Sequence, residues 1–221
     1  MPKITIDTDN ISNADAQEIL RLANVLYFRS GVFERTYWMG APAAKCPMDM
    51  WMYQELVFAL KTDCLIETGT LFGGSALFFA HLFDVLGYGK VISIDIDLQA
   101  RLPQHPRIEY IQGSSIDEGV LSSVAGFADD AKSVTVILDS DHTASYKLKE
   151  MRAYADFVTK GNFLIAEDTC FDYYPAWPEY GPGPAKAVEE FIKENKDFVI
   201  DRKPEHHLIS FAPIAFLKKR V

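Results

Sequence analysis

The chain has 221 residues and a formal charge of −9, from 22 Lys and Arg against 31 Asp and Glu. Hydrophobic residues make up 48% and charged residues 24%, which is the balance of a globular chain with one real core and excludes a disordered one. The acidic balance also excludes a nucleic-acid partner, since phosphate binding needs a basic stripe and the one basic run, Lys218-Lys219-Arg220, reads as a solvated tail.

No apolar run approaches the ~20 residues of a membrane span, and the most apolar helix-like stretch, 76–86, is interrupted by His81 and Asp84. No membrane partner is expected. The opening MPKITIDTDN has neither a charged n-region nor an apolar h-region, so no signal peptide is expected. Cys46, Cys64 and Cys170 are scattered and odd in number, which fits a reducing cytoplasm and gives no zinc spacing; Cys64, in an apolar run, reads as core.

In chain order, the first sixty residues read mainly as a helical cap to the rest of a single domain. The run 13–18 offers a helix start, and Ile19, Leu20, Leu22 and Leu26 supply the apolar face. A Gly/Pro-broken stretch, 40–47, precedes a second helix over 50–60. From residue 63 short apolar strands alternate with helices: CLIET (64–68), KVISID (90–95), RIEYIQ (107–112), SVTVILD (133–139) and NFLIAED (162–168), with helices near 74–86, 117–125, 144–158 and 185–195. Such strands predict a parallel sheet covered on both faces. DFVID (197–201) and HHLISFA (206–212) predict a terminal antiparallel hairpin. The fold class is α/β, a doubly wound, mostly parallel sheet, whose ligands bind at the carboxyl ends of the strands.

The chemistry gathers at those ends. The first strand runs into Glu67-Thr68-Gly69-Thr70-Leu71-Phe72-Gly73-Gly74-Ser75 and a helix. Glycines let a ligand approach the backbone, but the spacing is not that of a dinucleotide loop, and Glu67 suits a cationic ligand rather than a pyrophosphate. Asp95, with Asp97 beyond it, stands at the second strand tip, where a carboxylate accepts ribose hydroxyls. Gly113, Ser114 and Ser115 follow the third strand and suit an adenine edge. The fourth and fifth strands end in Asp139-Ser140-Asp141-His142 and Glu167-Asp168-Thr169. Adjacent strands would gather four carboxylates and an imidazole, which raise one another's pKa unless a cation sits between them. Hard oxygen donors suit Mg²⁺. A non-haem iron site wants two histidines and a carboxylate, and only His142 is near; His206 and His207 lie on the predicted hairpin.

Together these segments resemble class I S-adenosylmethionine-dependent methyltransferases, more narrowly the cephalosporin-hydroxylase-like branch with its metal-dependent O-methyltransferases. The resemblance rests on YQEL (53–56), IETGTLFGGSALFFA (66–80), GKVISIDID (89–97), RIEYIQGSS (107–115), VILDSDHT (136–143), IAEDT (165–169) and GPGPAKAVEEF (181–191). It implies the seven-stranded Rossmann-like methyltransferase sheet, with S-adenosylmethionine and Mg²⁺ as cofactors. It implies that Glu67, Thr68, Gly69, Gly73 and Ser75 lie at the methionine part of the cofactor, Asp95 at its ribose and Gly113, Ser114 and Ser115 near its adenine, with Asp139 closing the pocket. Asp139, Glu167 and Asp168 become metal ligands, with Asp141 as the rival to Asp139, and His142 becomes the general base.

The expected activity is methyl transfer to a hydroxyl of a small molecule, a natural product or sugar. A metal-dependent oxygenase on the same fold and a non-catalytic binding protein are the alternatives, and self-association is compatible with each. The aromatic run Thr169–Tyr180 is expected as a lid that forms a substrate wall with Tyr37, Trp38 and Met39. Pro184 is expected in the first turn of the last helix.

Overall fold

A computed structural model describes residues 11–221; the opening segment used for the signal-peptide reading lies outside them. Helix α1 (Asn13–Arg29) starts at Ser12, whose hydroxyl accepts the Asp15 amide. A 3₁₀ turn (Val32–Arg35) leads to a two-stranded ribbon, β1 (Tyr37–Trp38) and β2 (Ala41–Pro42), and then to α2 (Pro47–Leu60). The core follows as β3 (Cys64–Thr68), α3 (Gly74–Leu86), β4 (Lys90–Asp95), β5 (Ile108–Gln112), α4 (Glu118–Ala128), β6 (Val134–Leu138), α5 (Ala144–Tyr154) and β7 (Phe163–Ala166). The chain closes with α6 (Cys170–Tyr173), α7 (Pro184–Glu194), β8 (Phe198–Ile200) and β9 (Phe216–Lys219).

Seven strands form one sheet in the order β5-β4-β3-β6-β7-β9-β8, parallel except where β9 pairs with β7 and β8. The predicted bounds of the first two strands coincide with β3 and β4. Alternation divides the side chains between two layers. Cys64, Ile66, Ile92, Ile94, Val136 and Leu138 face α4, α5 and α7, while Leu65, Val91 and Ile137 face α2 and α3. By the same alternation Glu67 points to the α2–α3 side, with no water to receive its charge. The order reverses between β3 and β6, and the crevice beyond that switch point is where such sheets bind ligands.

Three expectations are corrected. On α1 the predicted apolar face is the exposed one: Ile19, Leu22 and Leu26 face solvent, and Asn24, Val25, Tyr27 and Phe28 turn inward. Asn24 decides the orientation, because its amide donates to the Leu208 carbonyl and accepts the Ser210 N–H. The terminal hairpin exists, but its second strand is Phe216–Lys219 and not 206–212. Residues 203–207 form a 3₁₀ turn, and the amides of Ser210 and Phe211 are taken by Asn24 and Asp49 instead of a strand ladder. The aromatic run 169–180 is anchored instead of free: Phe171 and Ala176 join Cys46 and Phe211 in a third core cluster, with Phe28 and Phe33 against it, while Tyr173 and Trp177 stay exposed. Trp38 turns away from that run onto α3, meeting Phe78 edge-on and donating Nε1–H to His81.

Cys46, Cys64 and Cys170 are free and buried. Among the described residues no helix is long and apolar enough to cross a membrane. Pro184 is the first residue of α7, as expected, and the helix has a remote cap. The Asp172 carboxylate on α6 accepts the amides of Gly183, Ala185 and Lys186, each at 3.0 Å. Asp172→Ala removes all three hydrogen bonds, and urea denaturation should show a loss of about 1–2 kcal/mol, with Asp172→Asn intermediate.

Candidate active site

Beyond the carboxyl ends of β3–β7 lies a cleft of about 500 Å³, lined by Gly69, Asp95, Gly113, Asp139, His142 and Asp168 among others. Gly69 makes the cleft possible. Its φ is +86°, and a Cβ there would stand 2.1 Å from the Asp139 carbonyl oxygen. Only glycine lets the loop after β3 run against the end of β6. Of the residues predicted to hold a cofactor, Asp95, Gly113, Ser114, Ser115 and Asp139 also line the cleft. Asp95 braces the loop, accepting the Leu71 amide at 2.9 Å and the Asp97 amide at 3.0 Å.

Glu67, Thr68, Gly73 and Ser75 do not line the cleft; they support it from below. The buried Glu67 carboxylate accepts the Ser93 hydroxyl at 2.7 Å and is also hydrogen-bonded by Ser75. Thr68 accepts the Asp139 amide with both its carbonyl and its hydroxyl oxygen. Gly73 precedes the first residue of α3 with φ +72°.

The acidic ends of β6 and β7 divide into two groups. Asp139, His142 and Asp168 converge, each offering one ligand atom within 4.8 Å of the others, with His142 Nε2 3.5 Å from Asp168 Oδ2. Asp168 has φ +59°, so the chain twists between it and Glu167 and sends the two carboxylates to different places. Glu167 lies inside, accepting the Tyr53 hydroxyl at 2.6 Å and pairing with Lys45 Nζ at 3.0 Å. Lys45 also bonds Asp139 Oδ2 at 2.5 Å. Asp141 spends Oδ1 on the amide and hydroxyl of Thr143 at the start of α5, although it borders the cleft.

Electrostatics follow from this crowding. Burial raises the pKa of Glu67 to about 7 even though Lys45 opposes it. Burial, then the charges of Asp139 and Glu167, raise Asp168 well above the carboxylate range. Glu167 is raised too, by burial against the pull of Lys45. Lys45 is itself buried, which works against its charge, but Asp139, Glu167 and Glu67 overcome that and hold it above the ordinary lysine value. Burial lowers His142, so the ring stays neutral near pH 7. One ammonium faces several carboxylates, and the site retains capacity for further positive charge.

Sequence reasoning missed four residues here. Lys45 is a lone cation within the apolar run APAAKCP, and Tyr53 stands in the second helix. Lys147 and Glu150 form a fully buried pair on α5: Lys147 donates to the Leu138 carbonyl, and Glu150 accepts the hydroxyls of Ser115 and Ser140 at 2.6 Å each. Their signal was available in the helical period, since Lys147 and Glu150 flank the inward positions Leu148 and Met151.

The strand order, the glycine turn after β3 and the carboxylate at the tip of β4 define the class I methyltransferase fold. A solved structure of CmcI with Mg and SAM shares it, with a TM-score of 0.61 at 21% identity over 85% of this chain and 78% of that one. The sequence profile for rhamnosyl O-methyltransferase/CmcI matches residues 30–220. The chain belongs to the rhamnosyl O-methyltransferase/CmcI family. Rhamnosyl O-methyltransferase of Mycobacterium leprae is 34% identical over 172 residues, covering 76% of this chain and 75% of the relative. That of Mycobacterium bovis BCG is 31% identical over 198 residues, covering 86% and 81%.

The buried Asp49 on α2 yields a sign-definite pH effect. Its carboxylate accepts the Phe211 amide, and burial raises its pKa from 3.8 to about 7. Between those values the folded chain holds more protons than the unfolded one, so stability falls as pH rises from about 4 to about 7. Asp49→Asn keeps an acceptor for Phe211 and removes that ionisation. Urea titrations should find the Asp49→Asn variant more stable than the parent at pH 8, by on the order of 2–4 kcal/mol, with the difference lost near pH 4.

Proposed function

We propose that this chain is an S-adenosylmethionine- and Mg²⁺-dependent O-methyltransferase whose acceptor is a hydroxyl of a sugar residue on a small molecule. The observation that carries this reading is the convergence of Asp139, His142 and Asp168 on one cleft with the Gly69 loop and Asp95. The fold class and the named relatives support the same reaction. The whole chain is read as one catalytic unit, residues 1–60 capping the core 61–221.

The donor chemistry fits both groups. Asp95, Ser114 and Ser115 offer an acceptor and hydroxyls at the ribose and adenine end, Gly69 admits the ligand against backbone, and the buried charge of Glu67 favours a sulfonium above it. Asp139 and Asp168 present hard oxygens, with burial and mutual repulsion relieved by a divalent cation. Asp139 is favoured over Asp141 as ligand because Asp141 is committed to Thr143. Glu167 is held by Lys45 and Tyr53 directly behind and completes the acidic set.

When bound, the sulfonium supplies the methyl group and the metal lowers the pKa of the acceptor hydroxyl. His142, kept neutral by burial, takes the hydroxyl proton. Asp168, 3.5 Å from His142 Nε2, and Asp139 keep the imidazole beside the acidic group. The Gly69 loop would leave room for the sulfonium against the backbone, and the proton lost by the acceptor hydroxyl would end on His142 as the methyl group leaves sulfur for that oxygen.

Activity is tested with labelled S-adenosylmethionine against rhamnosyl and related glycoside acceptors. EDTA should abolish transfer and Mg²⁺ restore it. His142→Ala should lower kcat by about 10²–10⁴-fold while cofactor affinity is unchanged. Transfer that persists in EDTA, or a His142→Ala variant at full rate, contradicts the proposal.

A further inference from the structure

His206 and His207, expected on a terminal hairpin strand, lie instead in the 3₁₀ turn Lys203–His207, packed on α2, where Glu55 stands. We propose that Glu55, His206 and His207 form a second metal site, built for a divalent transition ion of the Zn²⁺ type and separate from the cleft. One ligand atom from each of the three lies within 4.8 Å of the others.

The hydrogen bonds orient both partners. His206 Nδ1 lies 3.3 Å from the Lys203 carbonyl oxygen. A carbonyl only accepts, so this contact takes an Nδ1–H and leaves Nε2 as the nitrogen open to a ligand. Nε2 faces Glu55 Oε2 at 3.5 Å. A shared proton or a metal ion would join these two atoms. The other Glu55 oxygen accepts the Trp51 indole N–H at 3.1 Å, which fixes the carboxylate and leaves Oε2 free.

His207 supplies the independent observation. Its Nε2 is shut off from solvent and has no hydrogen-bond partner. Its ring lies 4.1 Å from that of His206, centroid to centroid. A proton on His206 would satisfy Glu55 but would leave His207 Nε2 unpaired and set a charged ring beside its neighbour. A metal ion held by one atom of each residue would serve the three together. The Glu55–His206 separation of 3.5 Å is close to the ~3.3 Å that bonds of about 2.0–2.1 Å at tetrahedral angles put between neighbouring ligand atoms.

Two imidazoles and one carboxylate suit Zn²⁺ and its neighbours, whereas Mg²⁺ prefers oxygen alone. None of the three residues lines the cleft. The site would have a holding role, clamping the segment between β8 and β9 to α2.

The test uses untagged full-length protein with Mg²⁺ in excess, titrated with Zn²⁺ by calorimetry, together with an Asp139→Asn form that weakens binding in the cleft. The expected result is one Zn²⁺ per chain in the Asp139→Asn form, with affinity weakened more than about tenfold when Glu55→Gln or His206→Ala is added to it. The thermal midpoint should rise with Zn²⁺ in the parent and stay fixed in His206→Ala/His207→Ala and in His206→Gln/His207→Gln. Co²⁺ should give visible d–d absorption that both double variants lack. Absence of Zn²⁺ binding, binding that survives the double variants, or binding lost with Asp139→Asn overturns the proposal. Each of these results leaves the methyl-transfer assay untouched, so the two proposals fail separately.

Discussion

The Lys45 ammonium, closed between Asp139 and Glu167, is the interaction on which the site depends. Taking an ion out of water costs on the order of several kcal/mol, and here four carboxylates share one neighbourhood. Without a cation inside that group, more of these carboxylates would have to take up protons for the ends of β6 and β7 to stay together. Lys45 comes from outside the sheet, on the segment between the β1–β2 ribbon and α2, so the N-terminal region is bound to the core by charge as well as by apolar contact. Tyr53 adds a neutral donor to the same Glu167 oxygen and completes the lock.

A second buried pair plays the corresponding part on the opposite face of the sheet. Lys147 and Glu150 lie on α5, yet their polar atoms serve the loops: the Leu138 carbonyl, Ser140 and Ser115. Tyr154 extends the arrangement by donating to the Ser115 carbonyl. The Ser115 end and the Asp139 end of the cleft thus each rest on a buried lysine–carboxylate contact.

The sheet was legible because its central strands are buried on both faces, so that CLIET and KVISID are dominated by Ile, Leu and Val and bounded by turn residues. That Asp95, Asp139, His142 and Asp168 meet at one cleft was legible because they stand at the ends of strands in such a sheet. The failures share a cause. Ile19, Leu22 and Leu26 form a regular stripe, but side-chain bonds from Asn24 to a segment nearly 200 residues on turned the helix the other way. HHLISFA alternates like a strand, but its amides found carboxylate and carboxamide acceptors first. Lys45 has no local signal, because its partners are far away in sequence and only the closed fold brings them near.

That distance has a cost. Lys45 is 94 residues from Asp139, and Tyr53 is 114 from Glu167. Contacts of such span carry a large loop-closure entropy, with β3, α3, β4, β5 and α4 lying between their ends. The first hundred residues hold the lysine, the tyrosine and the glycine turn but none of Asp139, Glu167 and Asp168, so a fragment ending there would leave Lys45 without either carboxylate that it pairs with.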